Sequence, residues 1–125
     1  MKPETEFNSE IVTVLVHECL ARGLRLHITR IESNYTQQGI PDINFCLEGH
    51  EAWIESKVDE EPRSALQLSW HKQRYNAGGK VFTLRKISCQ TSSSVVHYNL
   101  VYADYFGTSC NFPDLIDKII VEVMK

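Results

Sequence analysis

Apolar residues at Ile11, Val12, Leu15, Val16, Cys19 and Leu20 recur at helical spacing. Asn8 or Ser9 can cap this helix and Gly23 can end it, leaving residues 1–7 as a flexible lead. The period then changes. From Leu24 to Ile31, Leu24, Leu26 and Ile28 alternate with Arg25, His27 and Thr29, which predicts a strand. The polar stretch from Glu32 to Gly39 predicts a mobile loop, in which Asn34 and Tyr35 either meet a substrate or are simply flexible. Alternation returns from Asp42 to Leu47, with Ile43, Phe45 and Leu47 on one face and Asp42, Asn44 and Cys46 on the other. Glu48-Gly49-His50 supplies a turn into a strand from Glu51 to Val58.

Asp59-Glu60-Glu61-Pro62 breaks this regularity, and Ser64 can cap a helix that runs to about Ala77 before Gly78-Gly79. Lys80 to Lys86 and Ser94 to Tyr105 read as strands around a loop from Ile87 to Ser93, which holds most of the Ser92-Ser93-Ser94 run. Pro113 fits the first turn of a last helix with Leu115, Ile116, Ile119, Ile120 and Val123 as its apolar stripe. The order helix, three strands, helix, two strands, helix predicts an α/β single domain, a central mixed β-sheet flanked by helices.

With 125 residues and 42% hydrophobic content, the chain can bury one core but hardly two. No apolar run approaches the roughly 18 residues that cross a membrane, and Met1-Lys2-Pro3-Glu4-Thr5-Glu6 lacks the apolar stretch of a secretion signal, so a cytoplasmic protein is expected. Cys19, Cys46, Cys89 and Cys110 form no Cys-x-x-Cys pair, which points to reduced thiols; a disulfide would require an oxidising compartment. The net charge of −3 argues against a polyanionic partner, but it conceals an asymmetry. From Pro62 to Lys86 the chain carries Arg63, Lys72, Arg74, Lys80, Arg85 and Lys86 and no acid, which gives either one basic binding face or an ordinary solvated one.

The chemistry concentrates at Asp42, Glu55 and Lys57. Glu55 and Lys57 leave the same face of an extended strand, and Asp42 opens the strand before it. Two carboxylates and an ammonium group at one strand end suit a hydrolytic site in which a hard cation, Mg²⁺ or Mn²⁺, binds phosphate oxygens beside an activated water. Asp42 and Glu55 would hold the ion, the backbone carbonyl of Ser56 could add a third ligand, and Lys57 would serve the water. In the competing arrangement Asp42 caps a turn while Glu55 and Lys57 form an exposed ion pair.

Gly39-Ile40-Pro41-Asp42, a hydrophobic strand, a turn and Trp53-Ile54-Glu55-Ser56-Lys57 together resemble the PD-(D/E)xK nuclease superfamily, in particular its VRR-NUC type and the Holliday junction resolvases of phages and archaea. The resemblance runs from about Asn8 to Leu84, and Tyr75-Asn76-Ala77-Gly78-Gly79-Lys80-Val81 looks like the helix end and following strand of the VRR-NUC type. It implies a restriction endonuclease-like core and an Mg-dependent endonuclease cutting DNA. It also implies a branched substrate and a homodimer, since symmetric cutting of two strands needs two sites. The family begins with a helix bearing an acid, for which Glu10 is preferred over Glu18, acting indirectly or through a second metal. Its second helix carries a Gln, here Gln67, which would steady the site or touch phosphate. Ser56 departs from the pattern, since a hydrophobic residue is usual there.

Arg63, His71, Lys72, Arg74 and Lys80 are the candidates for guiding DNA, with His71 weighed against a solvated surface histidine. His17, His27, His50 and His97 fall at no metal-ligand spacing, and Trp53 and Trp70 read as core before base-stacking groups. No Gly-rich phosphate loop is apparent, so no nucleotide cofactor is expected. The alternative function is a catalytically inactive module of this fold that binds DNA or a partner protein.

Overall fold

The computed structural model describes residues 3–31, 39–88 and 96–125; the expectations placed on Asn34, Tyr35, Cys89 and Ser92 to Ser94 lie outside these. In chain order the elements are α1 (Pro3–Ala21), β1 (Leu26–Arg30), β2 (Ile43–Leu47), β3 (His50–Val58), α2 (Ala65–Asn76), β4 (Lys80–Ser88), β5 (Val96–Tyr102), β6 (Tyr105–Ser109) and α3 (Phe112–Val123). The strands form one sheet in sequence order, antiparallel throughout except for β3 and β4. That parallel pair is joined by α2, as a parallel connection requires. The result is the mixed α/β sheet that the patterning predicts.

The sequence reading is corrected most at α1 and β5, and β4 also runs on through Ile87 and Ser88, which were expected in a loop, because they continue its pairing with β5. Helix α1 starts at Pro3 and not at Asn8, so the expected flexible lead is helical from Pro3 onward. Proline suits a first helical turn, Glu4 and Glu6 complement the positive helix end, and Phe7 is buried against the rings of Tyr98 and Phe112. The expected strand from Ser94 to Tyr105 instead turns back at Ala103, whose φ is 52°, and the chain returns as β6. Tyr105 to Ser109 has no apolar alternation because β6 is an edge strand with largely exposed side chains.

The core lies on one side of the sheet. Ile43, Phe45, Leu47, Ala52, Ile54, Phe82, Leu84 and Leu100 meet Ile11 and Leu15 of α1 and Ile116 and Ile119 of α3. The other side carries α2, which has no buried residue. Its half-buried positions, Gln67, Trp70, His71 and Arg74, recur one turn apart and form the stripe turned to the sheet, while Leu66, Leu68 and Tyr75 are exposed. Ser64 caps α2 in a reciprocal box with Gln67. The chain entering β2 passes so close to this first turn that a Cβ at Gly39, where φ is +85°, would overlap the backbone of Leu66 and Gln67.

Candidate active site

The β2–β3 register places Ile43 opposite Ile54, so the next pair outward sets Asp42 opposite Glu55. Because Ala52 and Ile54 point into the core, alternation sends Trp53, Glu55 and Lys57 to the α2 side, which Asp42 and Asn44 share. Asp42 is held firmly. Its Oδ2 accepts the Ser56 backbone N–H at 3.0 Å and the Ser56 hydroxyl at 2.9 Å, and its carbonyl oxygen accepts the Ile31 N–H at 2.7 Å. Ser56 therefore has a use: fully buried, it fixes the first carboxylate.

Glu55 is 2% exposed, and its Oε1 has no hydrogen-bond partner among the described residues. Burial, reinforced by the neighbouring Asp42 carboxylate, pushes its pKa up to about 10. A buried carboxyl group beside a second carboxylate is the environment that a cation relieves. Lys57 is also buried, with its Nζ 3.6 Å from Oε1 of Glu61. Arg85 donates to the carbonyls of Asp59 at 2.8 Å and Glu61 at 2.6 Å and so holds that loop in place.

Glu4 completes the group from the first turn of α1. Burial, followed by its hydrogen bond to Glu61, raises its pKa to about 7, while Lys57 opposes the shift. The Glu61 carboxyl moves down in response, chiefly through the same hydrogen bond and then the charge of Lys57. From α2, His71 aims Nε2 at Oε1 of Glu55, 3.7 Å away. Burial, helped by the charges of Arg63 and Lys57, lowers its pKa to about 4, so the imidazole is neutral near pH 7.

Several expected residues sit elsewhere. Glu10 is engaged by Lys86 Nζ at 2.9 Å and by the Tyr98 hydroxyl at 2.8 Å. It lies six residues beyond Glu4, about 9 Å along the helix, because α1 begins earlier than expected. Glu18 pairs with Arg22. Gln67 spends its carbonyl oxygen on the Ser64 N–H at 2.8 Å, within the α2 cap. Lys80 donates to the carbonyl of Glu122 at 2.6 Å, at the end of α3 where unpaired carbonyls attract a cation. Arg74 stacks its guanidinium over Trp70 at 4.5 Å and Trp53 at 5.1 Å, and the two indoles meet edge to face at 5.0 Å. Lys72 is exposed and Arg63 is half-buried; with His71, Tyr75 and Thr83 they line a cavity between α2 and the sheet.

Glu4, Glu61 and the inward turn of His71 were not anticipated from the sequence. Glu4 stands in a run that reads as a chain terminus, and Glu61 in one that reads as a solvated turn. The Cys110 Sγ and His97 Nδ1 contact at 3.3 Å likewise joins residues too far apart in sequence for ligand spacing to reveal. Among the described residues no three Asp, Glu, His or Cys side chains are already gathered as a cage for a metal ion. Asp42 and the partnerless oxygen of Glu55 nevertheless fit a hard cation in donor type and in charge. No helix among the described residues is long and apolar enough to cross a membrane.

No protein-family model matches the chain, and no curated protein does so either. Among solved structures, the chain is similar to Hjc of Archaeoglobus fulgidus, described as a Holliday junction resolvase from an archaeal hyperthermophile. The TM-score is 0.45 at 14% identity, covering 84% of this chain and 89% of that one.

Proposed function

We propose that this chain is a metal-dependent endonuclease of the PD-(D/E)xK type that hydrolyses phosphodiester bonds in DNA, with branched DNA as its substrate and a homodimer as its working form. The observation that carries this reading is the strand register that sets Asp42 opposite a buried, incompletely satisfied Glu55, with Lys57 next on the same face.

Asp42 and Glu55 would hold a Mg²⁺ or Mn²⁺ ion, with Ser56 keeping Asp42 in position and its own backbone carbonyl a third candidate ligand. When bound, such an ion supplies charge neutralisation on the scissile phosphate and acidifies a bound water. Lys57 is placed to hold that water and to offset the charge growing on phosphate. Glu61, itself hydrogen-bonded to Glu4, keeps the ammonium group oriented, and Glu4, with its pKa near 7, can exchange a proton with solvent as the attacking water loses one. Arg63 and Lys72, the basic candidates without a structural task described above, would meet the sugar-phosphate backbone.

The test incubates supercoiled plasmid and a four-way DNA junction with the wild-type protein and Asp42→Ala, in Mg²⁺, Mn²⁺ or chelator. Metal-dependent cutting that disappears in the variant supports the nuclease, and preference for the junction supports the branched substrate. Tight DNA binding without cutting under every condition would replace the enzyme with a binding module. The present engagement of Lys57 by Glu61 is the observation that favours that second reading.

A further inference from the structure

Two buried polar atoms face one another beneath α2 without a hydrogen-bond partner among the described residues: Oε1 of Glu55 and Nε2 of His71. Their side chains are 2% and 11% exposed, and the atoms stand 3.7 Å apart. That gap is too long for a hydrogen bond. Leaving these two atoms unpaired costs free energy at each, so a third species between them would be stabilised. Metal bonds of about 2.1 Å to N and O can span up to about 4.2 Å between two donors, so the gap fits a shared ion. Within α2, His71 is held in place by the Ser64 cap and by the Trp70 ring, which packs edge-on to the imidazole at a centroid distance of 6.3 Å. Its stripe neighbours Gln67, Trp70 and Arg74 are all committed to the helix cap or to one another, leaving His71 as the α2 group directed at the carboxylates.

We infer that His71 is a nitrogen ligand of the ion that Glu55 binds, with Asp42 drawn to that ion from a position where the three are not already gathered as a cage, and that the site therefore favours a first-row transition ion such as Mn²⁺ over Mg²⁺. This inference rests on the nuclease reading and extends it. An all-oxygen set suits Mg²⁺, whereas an imidazole donor shifts preference towards transition ions. The α2 helix then serves as a clamp that closes the metal site from above the sheet.

Mn²⁺ is both a candidate ion and a paramagnetic probe. Electron spin-echo envelope modulation on wild-type protein loaded with Mn²⁺ should show coupling to one ¹⁴N nucleus. His71→Leu and the better space-matched His71→Gln should lose that coupling while circular dichroism and thermal melting confirm their fold. Their Mn²⁺ affinity, read by titration, should fall at least about tenfold, the lower bound for losing even an indirect supporter of a metal site. Mg²⁺ affinity should fall less. Mn²⁺ bound without nitrogen coupling in the wild type would overturn the inference and leave the nuclease reading standing, provided plasmid cutting persists. Coupling that survives in both variants would place the ion on a different histidine and overturn it as well. Absence of any Mn²⁺ binding would sink both readings together.

Discussion

Gly39 and Gly49 share a φ of +85°, but they differ in surroundings. A Cβ at Gly49 meets nothing within 4 Å, whereas at Gly39 it would collide with backbone atoms of Leu66 and Gln67. Gly49→Ala therefore isolates the cost of a left-handed backbone on an L-residue, about 1 to 2 kcal/mol. Gly39→Ala adds the displacement of α2 or of the chain entering β2. Forcing a group into a packed contact typically costs a further 1 to 3 kcal/mol or so, giving about 2 to 5 kcal/mol in all. Backbone cannot swing aside as a side chain does, which argues for the upper half of that range. Urea unfolding followed by circular dichroism would read both variants, with the difference in midpoint multiplied by an unchanged m-value. Equal losses in the two variants would refute the close approach of the chain at Gly39 to α2.

Three further outcomes are expected. Because Glu55 is ionised in the unfolded chain but protonated in the fold up to about pH 10, the folded state binds the extra proton and stability falls as pH rises from about 4.5. Glu55→Gln should flatten that fall and gain up to about 3 kcal/mol at pH 7; parallel pH–stability curves for the two proteins would contradict it. Lys57→Ala should reduce cleavage by at least about 10²-fold with an unchanged circular dichroism spectrum, and near-normal cutting would remove Lys57 from the chemistry. Glu4→Gln should slow cleavage about tenfold or more, whereas Glu10→Gln should leave cleavage intact and lower stability by about 1 kcal/mol through its Lys86 and Tyr98 contacts. The opposite pattern in cleavage assays would return the catalytic role to Glu10.

The strands at the centre of the sheet were legible because a core on one side imposes a period of two. Ile43, Phe45 and Leu47 could only face inward together, which sent Asp42 outward with them fixed. The Ser64 cap and the Gly23 stop were legible for a similar reason, being local chemistry that distant contacts do not override. Glu4 was hidden by the opposite circumstance. Its turn of helix is secured by Phe7 packing against the tilted rings of Tyr98 and Phe112, contacts that span most of the chain and leave no local trace. His71 was misjudged because α2 inverts the usual pattern, with leucines outward and a polar, aromatic stripe inward. Charge counting overrated Arg74 and Lys80, since one covers two indoles and the other closes the end of α3.

Under the proposed function, that inverted helix bears on how a polymer as bulky as DNA would reach Glu55, buried beneath it. A helix with no fully buried residue, resting on the sheet chiefly through Trp70, His71 and Arg74, gives up less apolar contact when it lifts than α1 or α3 would, so its amides should exchange with deuterium before those of β3 beneath it. Breathing of this one element would expose Glu55 to incoming substrate while the sheet and its core stay closed, separating the tempo of access from the stability of the whole molecule.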